Sequence, residues 1–272
     1  MTVVLSCPRG RGGGSPTGVV FEEAPDMSQL PAAMGVSHVG LVRGSDVRFF
    51  TGTGELVNCG HGLIAVQAAR LLRTRGPWLS SRLRVGGRPV RTVAVRTGPA
   101  SADVWFDQGL IALSPAQAAD DLLAALGIGP EDVGDQASVA SPGTPRMLLP
   151  VRDRAVLDGM APDAAKLARW CRERGLLGCF VYAPSRRGLV AGRMFAPAVG
   201  VPEDALNANS AGCLAAWLHH RRGGSEIVVH QGDRLGRPGT VRAAAVTTGR
   251  GTRVALAGAA RLIGVSPAAG RC

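Results

Sequence analysis

The stretch GELVNCGHGLIAVQAARLLRTRG, Gly54 to Gly76, places a carboxylate, a thiol and an imidazole (Glu55, Cys59 and His61) at the start of a long apolar segment. Metal ligation, a nucleophile with its base, proton transfer and plain helix capping would each use such groups. A helix start carries unpaired N–H groups and a partial positive charge. That charge favours a thiolate on Cys59 and disfavours an imidazolium on His61. Cys59 therefore reads as a base or nucleophile, or as a small buried apolar side chain. Glu55 reads as a strand-end or capping carboxylate. His38 lies between a short helix and a strand. With an unperturbed pKa of about 6.5 it can accept and return a proton near neutrality. Asp204, Asn207, Asn209 and Ser210 gather before a second apolar segment, where such residues also serve as caps. His219 and His220 fall at its other end and read as surface residues that complement the helix dipole.

Several classes of chemistry find no support. Cys59 and His61 are two residues apart and no second ligand pair accompanies them, so no metal site is expected. Lys166 is the only lysine and lies in an ordinary amphipathic helix, which leaves no natural Schiff-base lysine. GRGGG at Gly10 to Gly14 lacks the strand and helix that a nucleotide loop needs. The chain is expected to work without a cofactor. The six cysteines (Cys7, Cys59, Cys171, Cys179, Cys213 and Cys272) read as free thiols. The net charge of +11 is almost wholly arginine. Arg70, Arg73, Arg75, Arg186, Arg187, Arg221 and Arg222 sit mostly at apparent helix ends rather than massed on one face. An anionic small substrate is expected, and no nucleic acid. No apolar run reaches the roughly 18 residues of a membrane span, and the first residues do not resemble a signal peptide. A soluble cytoplasmic protein with no membrane partner is expected.

The elements that must position these groups form two similar halves. Strands alternate with helices through the first half, and its long helix, near 60–73, is apolar around most of its circumference, as a helix buried on all sides would be. PAQAADDLLAALG reads as a helix ending at Gly127. The Gly-, Pro- and Ser-rich stretch over 128–144 reads as a linker. The second half, 145–272, repeats the outline, with its central helix near 210–222. NCGHGLIAVQAAR can be laid on NSAGCLAAWLHHR at an offset of 150 or 151. Two such helix starts facing one cleft would suit a carboxylate.

In their order and spacing, GSPTGVVF, VNCGHGLIA, Pro145–Arg146, GRMFAPAVGVPEDALNANSAGCLAAWL and HQGDRLGRPG resemble the phenazine-biosynthesis isomerase-like (PhzF-like) family, which shares a fold with diaminopimelate epimerase. The resemblance spans nearly the whole chain. It implies an α/β (α+β) protein of two pseudo-symmetric barrel-like halves, each a mixed sheet round a central helix, over 1–127 and 145–272. It also implies cofactor-independent proton transfer on small amino-acid-like carboxylates. By resemblance His61 and Asp204 keep the family's histidine and aspartate positions, and His38 stands where the phenazine isomerase has its proton-shuttling glutamate. The family's T-G-S serine falls on Asn209, with Ser210 next. Cys59 matches the epimerase's first catalytic cysteine. No cysteine stands at the second position, so a two-thiol racemase is not available.

The expected activity is therefore a double-bond isomerase in secondary or antibiotic metabolism, with an alkylproline intermediate as one substrate. Catalytic roles fall to His38, His61, Asp204 and Cys59. Substrate contacts fall to Ser15, Gly60, Gly62, Asn207, Asn209, Ser210 and Ala211. The alternatives are a one-thiol epimerase or dehydratase using Cys59, and a catalytically silent ligand-binding member. A homodimer is the expected assembly.

Overall fold

The computed structural model describes residues 1–10, 12–184, 188–224 and 226–265. Arg186, Arg187 and Cys272 lie outside them. In chain order the elements are β1 (Thr2–Ser6), β2 (Ser15–Val20), α1 (Leu30–Ala33), β3 (His38–Arg43), β4 (Asp46–Thr51), β5 (Gly54–Leu56), α2 (Gly60–Leu72), β6 (Trp78–Val85), β7 (Arg88–Gly98) and β8 (Ser101–Leu110). There follow β9 (Ala112–Ala116), α3 (Asp120–Leu126), β10 (Ala137–Ser141), β11 (Arg146–Pro150), α4 (Arg154–Gly159), α5 (Ala164–Glu173), β12 (Cys179–Pro184), β13 (Leu189–Ala196), β14 (Val201–Asp204), α6 (Ala208–Arg222), β15 (Glu226–Gln231), β16 (Gly239–Thr248) and β17 (Gly251–Val265). No helix among the described residues is long and apolar enough to cross a membrane.

Contacts divide the chain into two units: Met1–Asp107 with the segment from Leu256 onward, and Gln108–Ala255. This differs from the expected division over 128–144. The stretch read as a linker contains β10, which pairs with both β9 and β11. The Gly and Pro residues that suggested a linker occupy the turns on either side of that strand.

In the first unit β1–β2 is antiparallel, β2–β3 parallel, β3–β4 antiparallel, β4–β6 parallel, and β6–β7 and β7–β8 antiparallel. β17 pairs with β1 and with β8, which closes an eight-stranded ring. The short β5 lies antiparallel on β4. Helix α2 packs on β1, β2, β3, β6 and β7. Its first ten residues and Leu71 are buried, as its all-round apolar sequence requires. Each fully buried Leu, Ile or Val there contributes about 1.5–3 kcal/mol.

The second unit repeats these steps in the same order. β10–β11 is antiparallel, β11–β12 parallel, β12–β13 antiparallel, β13–β15 parallel and β15–β16 antiparallel, with β14 antiparallel on β13. Helix α6 packs on β10, β11, β15 and β16, the counterparts of β1, β2, β6 and β7. The caps Cys59 and Asn207 stand 148 positions apart (207 less 59), two to three short of the expected offset. α6 has 15 residues against 13 for α2, which accommodates the difference. The repeat also reaches β2 and β11, which Gly14-Ser15-Pro16-Thr17 and Gly143-Thr144-Pro145-Arg146 lead into. This local match makes Thr17 the counterpart of Arg146.

Candidate active site

Three groups meet in the first unit. β3 opens on His38, and α2 opens with Cys59 as its N-cap and His61 in its first turn. His61 Nε2 lies 3.3 Å from His38 Nδ1 and 3.5 Å from Cys59 Sγ. His38 Nδ1 is also 2.8 Å from Ser37 Oγ. The two imidazoles meet edge to face, with centroids 4.6 Å apart at 82°. Cys59 and His61 are buried, while His38 is half-buried. The third ligand atom that local spacing did not offer thus comes from His38, 23 residues upstream of His61, and the three ligand atoms lie within 4.8 Å of one another.

Two small residues make this convergence possible. A Cβ on Gly62 would fall 2.5 Å from Phe49 Cε1 and 2.9 Å from Cys59 Sγ, so glycine lets both the ring and the thiol sit against the helix. A Cβ on Gly40 would fall 2.7 Å from Val66 Cγ2, so glycine also lets β3 approach α2. Ser6 Oγ donates to the His61 carbonyl at 3.0 Å, and Ser15 is the register partner of Ser6. Ser15 therefore lies one strand from the helix start. Thr17 pairs in register with His38, is fully buried, and its Oγ1 has no hydrogen-bond partner. Sequence reading passed over Thr17, which only the Gly-Ser-Pro-Thr/Gly-Thr-Pro-Arg repeat would have marked.

Glu55 stands apart from the trio. Its carboxylate takes two bonds from Arg48, at 3.0 and 2.6 Å, on the β4–β5 edge, and Arg48 also pairs with Glu23. The bond from Arg48 holds the Glu55 carboxyl below its usual value.

In the second unit Asn207 caps α6, its Oδ1 accepting from Ser210 N at 2.9 Å. Asp204 Oδ2 accepts from Asn207 Nδ2 at 3.0 Å, and Asp204 Oδ1 from Leu206 N at 3.1 Å. Gln231 Oε1 accepts from Asn207 N. Asn209 is half-buried, and its carbonyl accepts from Gln108 Nε2 at 3.0 Å. Ala211 is fully buried. Ser210 is too, and its hydroxyl accepts from Arg146 Nη1 at 3.1 Å.

Arg146 was noted in sequence only as part of a family match, yet it organises this end of the helix. It is 2% exposed and also donates to Asn207 Oδ1 and the Thr144 carbonyl, while Nε has no partner. Among the described residues no carboxylate pairs with it. Arg193, the other arginine buried among the described residues, takes a bidentate partner in Glu203, at 2.9 and 2.8 Å. Burial pushes the Cys213 thiol up to about 11 even though Arg146 draws it down, so at neutral pH Cys213 supplies no counter-charge. At the far end of α6, His219 bonds Thr247 Oγ1 at 3.0 Å and His220 stacks on Trp217.

The first unit's trio joins two imidazoles and a thiol at a buried helix start, and comparison with known proteins indicates the family of such a chain. The pattern of the phenazine biosynthesis-like protein family matches residues 11–264. An uncharacterized isomerase of Deinococcus radiodurans is 32% identical over 222 residues, covering 76% of this chain and 70% of that protein. The trans-2,3-dihydro-3-hydroxyanthranilate isomerase of Pseudomonas chlororaphis is 28% identical over 274 residues, covering 89% and 94%. The phenazine biosynthesis protein of the PhzF family from Bacillus anthracis shares the fold, with a TM-score of 0.81 at 17% identity over 97% of each chain. The chain belongs to the phenazine biosynthesis-like family and is an isomerase of that family.

Proposed function

We propose that this isomerase shifts a double bond by proton transfer, without a cofactor, in a small unsaturated amino-acid-like carboxylate. The observation that carries the reading is the run of contacts Ser37 Oγ, His38 Nδ1, His61 Nε2, Cys59 Sγ. Moving a double bond takes a proton from one carbon and returns one to another, so the enzyme must hold a proton between the two events. A proton on His61 Nε2 can be donated to the lone pair of His38 Nδ1, and a proton on Nδ1 to the lone pair of Nε2. The pair thus has two arrangements that differ by the position of one hydrogen. His38, the more exposed ring, meets the substrate; His61 holds it in place and shares its proton.

The Cys59 side chain makes no bond to the first turn of α2, so the N–H groups of that turn are not capped by it. Gly60 and Gly62 contribute such N–H groups, which suit a carboxylate. Asp204 is a positioning residue that works through the Asn207 cap. The Pseudomonas chlororaphis relative is named for an unsaturated carboxylate that bears an amino group, which supports the substrate class. A place in antibiotic or other secondary metabolism, an alkylproline intermediate as first substrate to try, and a homodimer all belong to this reading.

A second reading rests on the 3.5 Å contact of Cys59 Sγ with His61 Nε2, a thiol beside its base. In it the chain is a one-thiol epimerase or a dehydratase. Turnover of candidate carboxylates in deuterium oxide by the wild type, His38→Gln and Cys59→Ala separates the two. Loss of deuterium incorporation in His38→Gln with retention in Cys59→Ala supports the isomerase. The reverse pattern supports the thiol reading. No turnover of any candidate by the wild type removes both and leaves a ligand-binding protein.

A further inference from the structure

The same three side chains form the one set of histidine, cysteine or acidic groups among the described residues whose ligand atoms converge as a metal site would require. Their spacing can be compared with both kinds of bonding. An N–H donor and an oxygen acceptor sit about 2.9–3.0 Å apart at the optimum, and a bond to sulfur is longer. A tetrahedral zinc ion with nitrogens at about 2.05 Å and a thiolate at about 2.3 Å separates two nitrogens by about 3.4 Å, and nitrogen from sulfur by about 3.6 Å. The distances here are 3.3 Å between the imidazole nitrogens and 3.5 Å between nitrogen and sulfur. The nitrogen–nitrogen distance is long for a hydrogen bond and close to a tetrahedral edge, and the nitrogen–sulfur distance fits a tetrahedral edge and a hydrogen bond to sulfur alike, so the same three atoms are spaced both to share a proton and to close on one ion. The third edge, from His38 Nδ1 to Cys59 Sγ, is within 4.8 Å. The exposed Ser37 hydroxyl that shares Nδ1 can turn away into solvent. Two imidazoles and one thiolate are the donors that zinc, a borderline-soft ion, favours. They leave a fourth position open.

We propose that His38 Nδ1, Cys59 Sγ and His61 Nε2 bind a zinc ion, and that zinc inhibits the isomerase by occupying the lone pairs that proton transfer needs. On binding, the Cys59 thiol loses its proton to solvent, both imidazoles bind as neutral ligands, and the site gains one positive charge overall. The binding half stands on the geometry alone; the inhibition half rests on the proton-transfer reading above.

The test begins with chelator-treated full-length protein. Titration with cobalt(II) as a spectroscopic probe reads a thiolate-to-cobalt charge-transfer band and the intense visible bands of a tetrahedral centre. Competition with zinc then gives the affinity. One ion per chain is expected, with the charge-transfer band absent in Cys59→Ala. Affinity is expected to fall at least ~10-fold in His38→Gln and in His61→Gln, and to stay unchanged in His219→Ala, a surface control. Circular dichroism confirms that each variant is folded, and Cys59→Ser provides a second thiol-free form of similar size. Binding of the wild-type strength in both thiol-free variants, or no binding above that of free histidine, overturns the proposal. Binding without any loss of turnover at saturating zinc overturns the inhibition half. Absence of solvent deuterium in products from the metal-free enzyme defeats the proton-transfer reading while leaving the cobalt spectra to decide the site.

Discussion

Helix α2 begins on Cys59, whose thiol faces His61 and makes no bond to the first turn; α6 begins on Asn207, whose Oδ1 accepts from Ser210 N while Asp204, Gln231 and Arg146 hold the asparagine itself. The two helices occupy equivalent places in the repeated strand order, so the contrast is one of side chains and not of topology. At α2 the polar groups are bonded mainly to one another, and one ring is partly open to solvent. At α6 they are bonded to the helix and to a buried cation. The first arrangement brings two imidazoles and a thiol into mutual contact. The second ties its side chains to one another and to the first turn of the helix.

The contrast can be broken most forcefully at His38. His38→Gln should lower turnover by about 10²–10⁴-fold, the usual worth of a general acid–base group, with little change in thermal midpoint. Equal activity in the variant would remove the functional half of the comparison. At the other helix, Arg146→Leu should leave Ser210, Asn207 and the Thr144 carbonyl short of a donor and cost about 2–4 kcal/mol in urea unfolding, despite the removal of a buried charge. A stabilised variant would show that the unpaired guanidinium is a net burden. Asn207→Ala should cost about 1–2 kcal/mol through the lost cap, and Cys59→Ala less than about 1 kcal/mol, because no cap bond is lost there. Equal costs at the two caps would erase the distinction drawn here.

The smallest effect is expected at Glu55. Its carboxyl is held low by Arg48, so its contribution is present above its unfolded pKa of about 4.5 and disappears as pH falls through the lower folded value. Glu55→Gln should therefore cost under about 0.5 kcal/mol near pH 7, since the pair is well exposed, and progressively less as pH falls below about 4.5. Turnover should be unchanged. A larger loss of activity would return Glu55 to the site.

Both central helices were legible in sequence because they are apolar on every side, and a pattern of that kind has few other resting places than a barrel interior. Short strands were less so. β5 and β14 have three and four residues, too few for alternation to show, and the last two residues of β9 fell within a helix reading of PAQAADDLLAALG, of which only Asp120–Leu126 is helical. The meeting of Cys59 with His61 was visible from their spacing of two residues. His38 entered through the resemblance to a family and not through spacing, since only the β3 register brings it to the helix start. Arg146 and Thr17 were hidden because burial of a polar side chain is a tertiary fact, although the matching tetrapeptides before them marked both strands as equivalent.

The return of β17 to the first unit has a consequence for how the chain comes off the ribosome. β1 is made well before its partner β17, and β8 waits for that same strand. Until β17 emerges, the first unit holds two unpaired strand edges exposed to other chains. N-terminal structure therefore cannot close in the order of synthesis. A truncation at Ala255 should leave a product prone to aggregate while removing no residue of the proposed acid–base trio.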